Sequence, residues 1–228
     1  MKSLVILFLA LFLFACIETD SQNKNISNSP KTEPTPTDSQ KEHYRKYKEK
    51  HNLQLRDEIK KISKDFRVLT LENQNLSKND LEVRIWRFSA FGDKDLIFIL
   101  KRTNENWSAD LVGRKIAEKD IEKDNPPRKF FKSNLGKPKS DWESFWTELV
   151  DAEILVLSEV DEIGNEPCPD CWLYILETKI NGNYSFVTYH APEVNKNTYS
   201  SKQMIKIINL ISDEFSLDAF NADNFQKP

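Results

Sequence analysis

Apolar positions along this chain follow different spacings in different segments, and each spacing predicts a kind of element. Over residues 41–65, Tyr44, Tyr47, Leu55, Ile59 and Ile62 recur at spacings of three, four and seven, with a polar gap around His51, and Phe66 continues the series. With no Pro or Gly to interrupt it, this predicts an amphipathic helix, most regular from Leu53 onward. Runs of strand character follow at 66–71, 81–90, 96–102 and 107–115, punctuated by turn residues such as Gly92-Asp93 and Asn104-Glu105-Asn106. Within 81–90, alternation puts Leu81, Val83 and Ile85 on one face and Trp86 with Phe88 on the other. Residues 96–100 are apolar on both faces, as a central strand requires, so a meander of three or four antiparallel strands is expected.

Residues 116–139 are charged and broken by Pro126, Pro127 and Pro138, which reads as a long connection with Phe130 and Phe131 tucked inward. Ser140-Asp141-Trp142-Glu143 has the form of a capping box opening a helix to about Asp151, with Trp142, Phe145, Trp146 and Leu149 on one side. A short strand is expected at 154–158. Two longer ones, 171–180 and 183–190, flank Asn181-Gly182, a dipeptide suited to the positive φ angles of a type I′ hairpin turn. Such a turn pairs Tyr174 with Tyr189, Leu176 with Val187 and Leu173 with His190, and makes Trp172, Tyr174 and Leu176 the core-facing set. Finally Met204, Ile207, Ile208 and Ile211 form one stripe of a terminal helix over 201–215. The predicted fold is α+β: an antiparallel sheet, built of a meander plus a C-terminal hairpin, packed with N-terminal, mid-chain and C-terminal helices.

Ahead of all this stands a different pattern. Lys2 precedes an unbroken apolar run from Leu4 to Ala15, too short for the roughly 20 residues of a membrane span and suited to an export signal. The run ends in Leu13-Phe14-Ala15-Cys16, which resembles the lipobox of bacterial lipoproteins. That resemblance implies removal of residues 1–15, a diacylglyceryl thioether on Cys16, and attachment of the mature chain to the cell envelope by fatty acyl chains such as palmitate. Ile17, where inner-membrane retention is associated with Asp, favours the outer membrane. Buried acyl chains contribute about 0.8 kcal/mol per CH₂, so such an anchor holds without help from any protein surface.

From Ile17 to about Gln40 the sequence is rich in Ser, Asn, Thr, Gln and Pro, with Ile17 and Ile26 the only aliphatic residues, too little apolar surface to offset ordering entropy. A disordered spacer reaching about 25–30 Å is expected. The domain plan is therefore 1–15 signal peptide, 16–45 lipidated Cys16 and tether, and 46–228 one globular domain.

The later aromatic placements, Val83-Arg84-Ile85-Trp86, Phe145-Trp146, then Trp172, Gly182, Tyr184, Tyr189 and Pro192, also resemble an uncharacterised bacterial secreted family. The resemblance implies a shared fold and no particular activity.

Composition is that of a globular protein, 39% hydrophobic and 30% charged, which excludes a collagen-like or multi-span membrane chain. The net charge of −3 hides a division: residues 41–64 carry nine Lys/Arg against four Asp/Glu, whereas 141–228 carry five against sixteen. Either the basic part lies against the acidic part within the fold, or one face is aimed at an external partner. A negative net charge and an extracytoplasmic location argue against nucleic acid.

With 3 Cys and 3 His the stock for metal or nucleophilic chemistry is small. Cys168-Pro169-Asp170-Cys171 stands in a chain expected in an oxidising compartment, and a structural disulfide is the leading reading. A zinc half-site would find only His190 as a further soft ligand, and a redox pair would want its first Cys at a helix N-terminus. No Gly-x-Ser-x-Gly elbow accompanies His190. The carboxylates Asp151, Glu153, Glu159, Asp161, Glu162, Glu166 and Asp170 lack the spacing of a calcium loop. Neither catalytic residues, nor a metal site, nor a cofactor is assigned. The expected role is a membrane-anchored, non-catalytic binding or scaffolding lipoprotein with an envelope protein as partner; the alternative is a small extracytoplasmic hydrolase or thiol-active enzyme.

Overall fold

The computed structural model describes residues 38–89, 94–116, 127–157, 171–196 and 198–217. Its first element, helix α1 (Asp38–Asp65), begins inside the stretch expected to be tether, so residues 38–45 are helical. Every described side chain from Asp38 to Lys50 is exposed. Packing against the sheet starts with Asn52, Leu55 and Ile59, which is where the apolar periodicity becomes regular. The side chains of Tyr44 and Tyr47 lie outside the described residues.

Six antiparallel strands form one open sheet: β1 (Leu81–Phe88), β2 (Lys94–Thr103), β3 (Asn106–Ile116), β4 (Arg128–Asn134), β5 (Leu173–Ile180) and β6 (Asn183–His190). Their order across the sheet is β4-β3-β2-β1-β5-β6. The meander runs from β1 out to β4, and the C-terminal hairpin adds to the free edge of β1, so β1 and β2 are both central. Helices α2 (Trp142–Asp151) and α3 (Tyr199–Phe215) complete the elements of the described residues. The fold is α+β, as expected.

The hairpin register agrees with the expectation pair by pair: Tyr174 opposes Tyr189, Leu176 opposes Val187, and Leu173 opposes His190. Asn181 and Gly182 take φ of 51° and 80°, the left-handed pair a type I′ turn demands. Asn104 and Glu105 do the same between β2 and β3, at 49° and 65°.

Both faces of the sheet are covered. One carries Leu81, Val83, Ile85, Phe98, Leu100, Tyr174 and Leu176 against Phe145 and Leu149 of α2 and Met204, Ile207, Ile208 and Ile211 of α3. The other carries Trp86, Ile97, Ile99, Val112 and Ile175 against Ile59 of α1 and Phe66. The sheet therefore separates α1 from α2 and α3.

Four expectations are corrected. Residues 66–71 are not a strand: Phe66 and Leu71 are buried as anchors of an irregular crossing from α1 to the sheet. Residues 154–157 continue a turn out of α2. Within 116–139 the chain forms β4, an edge strand in which Phe130 is 47% exposed rather than tucked in. The cap of α2 is Asp141, whose carboxylate accepts from the Ser144 backbone N–H at 2.9 Å, while Ser140 bonds Glu214 instead.

The three described helices end alike, with a residue in the left-handed region whose own amide and the one after it bond to carbonyls of the last turn. Arg67 (φ 56°) follows α1, Glu153 (φ 65°) follows α2 and Ser216 (φ 53°) follows α3. Glycine usually fills this position, and a chain with 5 glycines uses other residues there.

Candidate functional site

Two clusters of buried polar side chains lie on opposite faces of the central strands. On the α1 face, strand alternation stacks Glu82, Arg84 and Trp86, each no more than 1% exposed. Glu82 Oε1 accepts from both Nε and Nη2 of Arg84 at 2.6 Å, and its Oε2 pairs with Lys101 Nζ at 3.0 Å. Across the β1–β5 ladder Arg84 faces Glu177, whose carboxylate accepts from Trp86 Nε1 at 2.5 Å and from the Tyr184 hydroxyl at 2.7 Å. Burial pushes the Glu177 carboxyl up, against the donated bonds of Tyr184 and Trp86 and the charge of Arg84. Burial, together with the adjacent Glu177 charge, also raises Tyr184.

The crossing after α1 closes this cluster. Gln74 reaches it, and with its amide turned to match these neighbours its oxygen accepts from Arg84 Nη2 at 2.6 Å and its nitrogen donates to Glu82 Oε2 at 3.2 Å. Glu72 binds Arg56 at 2.7 Å and Lys60 at 3.1 Å, and its backbone carbonyl accepts from Lys179 at 2.6 Å. Two buried cations and two buried anions thus meet in one layer, clamping α1 and the crossing onto the sheet. That chemistry is structural: every carboxylate oxygen of the cluster has a donor, although Arg84 Nη1 is buried with no hydrogen-bond partner among the described residues.

The second cluster sits under α3, where β1 ends and β5 begins. Arg87 is the register partner of Tyr174, and its guanidinium stacks 3.9 Å above the Trp172 ring centroid. The Tyr174 hydroxyl donates a short bond to Glu193 Oε1. Glu193 lies in the turn between β6 and α3, whose tightness shows in Ala191 at φ 51° and in amides of Val194 and Asn195 both returning to the Ala191 carbonyl. Burial raises the Glu193 carboxyl, opposed by the Tyr174 bond and the Arg87 charge, and burial also raises Tyr174 well above its ordinary value. Arg87 Nε and Glu193 Oε2 have no hydrogen-bond partner among protein groups, although Arg87 is 7% and Glu193 4% exposed. An acceptor for Nε and a donor for Oε2 are what this site would take, a polar group to be held.

The residues singled out from sequence are distributed elsewhere. Cys16 and Cys168 lie outside the described residues. Cys171 is buried, 3% exposed, two residues ahead of β5. His190 ends β6, its imidazole held below the usual range by burial first and by the neighbouring His51 second. Of the seven carboxylates considered for calcium, Asp151 and Glu153 are described, and Glu153 accepts from the Tyr199 hydroxyl at 2.7 Å. Among the described residues no three His, Cys, Asp or Glu side chains group to hold a metal ion, and no helix is long and apolar enough to cross a membrane.

Sequence reasoning missed both buried clusters. A signal existed in the Glu82-x-Arg84-x-Trp86 alternation, but a charged residue every second position in a strand ordinarily marks a solvated face.

The ion pairs between described side chains join partners within residues 42–132, both ends of each pair falling in the more basic portion of the chain. Helix α1 carries nine Lys/Arg against six Asp/Glu, and α2 with α3 carry two against five. The two helix layers are thus oppositely charged and stand on opposite sides of the sheet. Compared with protein-family models, curated proteins and solved structures, the chain matches none.

Proposed function

We propose that this protein is an envelope lipoprotein, held to its membrane by a lipid on Cys16, whose α+β domain works as a non-catalytic binding or scaffolding module. The observation that carries the binding half is the separation of charge between helix layers. Had the basic and acidic portions neutralised each other inside the fold, neither would be available to a partner; instead a basic helix and an acidic pair face outward from opposite sides of the sheet. The buried carboxylates on the α1 face support the same reading, because Glu82 and Glu177 are held by donors within the layer rather than facing an open site. The anchoring half rests on Leu13-Phe14-Ala15-Cys16 following a charged start and an apolar run.

Metabolic labelling with a palmitate analogue, followed by membrane fractionation, tests the anchor. The wild type should take up label and sediment with membranes, and Cys16→Ser should do neither. An unlabelled wild type, or a Cys16→Ser chain that carries label, would refute the lipoprotein reading.

A further inference from the structure

The outer stripe of α1 has a composition of its own. Lys46, Lys50, Leu53, Asp57, Lys61 and Lys64 follow one another at steps of three and four, so they share one side of the helix, and all six are exposed. Leu53 is 56% exposed among these lysines. Asp57, the lone acid of the stripe, has Lys60 at 3.5 Å, and Glu42 beside its start is engaged by Arg45 at 2.9 Å and Lys46 at 3.4 Å. From Lys46 to Lys64 the stripe spans about 27 Å, with a pair of lysines at each end and Leu53 and Asp57 between the pairs.

We infer that this face of α1 docks on a layer of anionic lipid headgroups, with its lysines among the phosphates and Leu53 entering the interface. The inference rests on the lipoprotein reading and adds the partner and the orientation to it. Two observations select a lipid surface over an acidic protein. The charge is spread along a line and convex, matching a flat field of repeating anions rather than a single acidic patch. In addition, 21 residues separate Cys16 from Asp38, the first residue of α1, so an acyl anchor at Cys16 keeps the stripe at high effective concentration near its own membrane. The acidic α2 and α3 side then faces away from the membrane.

Lysine footprinting of the purified full-length lipidated protein tests this. The protein is reconstituted on vesicles of phosphatidylcholine alone or mixed with phosphatidylglycerol, treated with an amine-acetylating reagent, and read by mass spectrometry. On the anionic vesicles acetylation of Lys46, Lys50, Lys61 and Lys64 should slow by about fivefold, the factor expected for one lysine attracted to an anionic surface, and recover at high salt. Lys202 and Lys206, exposed on α3 across the sheet, should keep their rates and serve as the internal control. Lys50→Glu combined with Lys61→Glu should abolish the slowing at Lys46 and Lys64. Equal rates on both vesicles, protection of the α3 lysines instead, or protection that survives the charge reversal would overturn the inference. Recovery with neutral vesicles reads the anchor separately. A protein absent from those yet protected on anionic ones would refute the anchor and keep the docking face, and one absent from both would refute both.

Discussion

Replacing Arg84 by Met removes the centre of the buried network while keeping the length of the side chain. Glu82 then loses both 2.6 Å bonds and retains the Gln74 amide at 3.2 Å and Lys101 at 3.0 Å, whose side chain is 37% exposed and partly screened. Glu177 keeps its Trp86 and Tyr184 donors but loses a facing positive charge that holds its carboxyl down. Breaking a buried pair by removing one partner costs about 3–5 kcal/mol, because the remaining charge stays out of water uncompensated. A domain of this size melts about 2–4 °C lower per kcal/mol, so the midpoint should fall by about 6–20 °C. The loss should also depend on pH. Glu177 titrates above its ordinary value in the folded protein, so the folded state binds a proton more tightly than the unfolded one, and stability declines as pH rises through that window. Without Arg84 the window widens upward, and the variant should lose less at pH 5 than at pH 7. Urea unfolding followed by tryptophan fluorescence measures this, and Glu82→Met closes a double-mutant cycle in which the double variant recovers part of the loss. A cost below about 1 kcal/mol at pH 7, or strictly additive single effects, would show that these charges do not form one compensated unit.

Gly113→Ala should cost about 1–3 kcal/mol, since the added Cβ would stand 2.2 Å from Phe131 Cζ and 2.9 Å from Leu96 Cδ2; amide exchange should rise chiefly in β4, which pairs there with β3. Arg67→Gly should stabilise by about 0.5–1 kcal/mol in thermal melts, relieving a side chain held at positive φ where α1 ends. Cys168→Ser with Cys171→Ser should leave a folded protein that has lost less than about 3 kcal/mol, because so small a loop constrains the unfolded chain little. Intact mass with and without reductant and alkylation checks the underlying pairing: two thiols reacting without reductant would eliminate the disulfide.

The regular elements were legible wherever local chemistry sufficed. The type I′ turn at Asn181-Gly182 sets the β5–β6 register because both positive φ angles are local preferences, and the 3.6-residue stripes of α2 and α3 needed only an apolar face to bury. Edges and layers were not local. β4 reads as a charged connection because an edge strand exposes most of its side chains, and only the free edge of β3 makes RKFFKSN extend and pair. The same holds for β1. Glu82 and Arg84 look like a solvated face until α1, the crossing through Gln74 and the hairpin strand β5 close over them and supply partners of opposite charge. The sequence by itself determined the three helices, the strands β1, β2, β3, β5 and β6 and the turn between β5 and β6, since those follow from spacing and backbone preference. Only the tertiary structure decided that β1 lies at the centre of the sheet, that its charges are buried, and that the basic helix and the acidic pair occupy opposite sides, because burial and charge compensation are set by residues far apart in the chain.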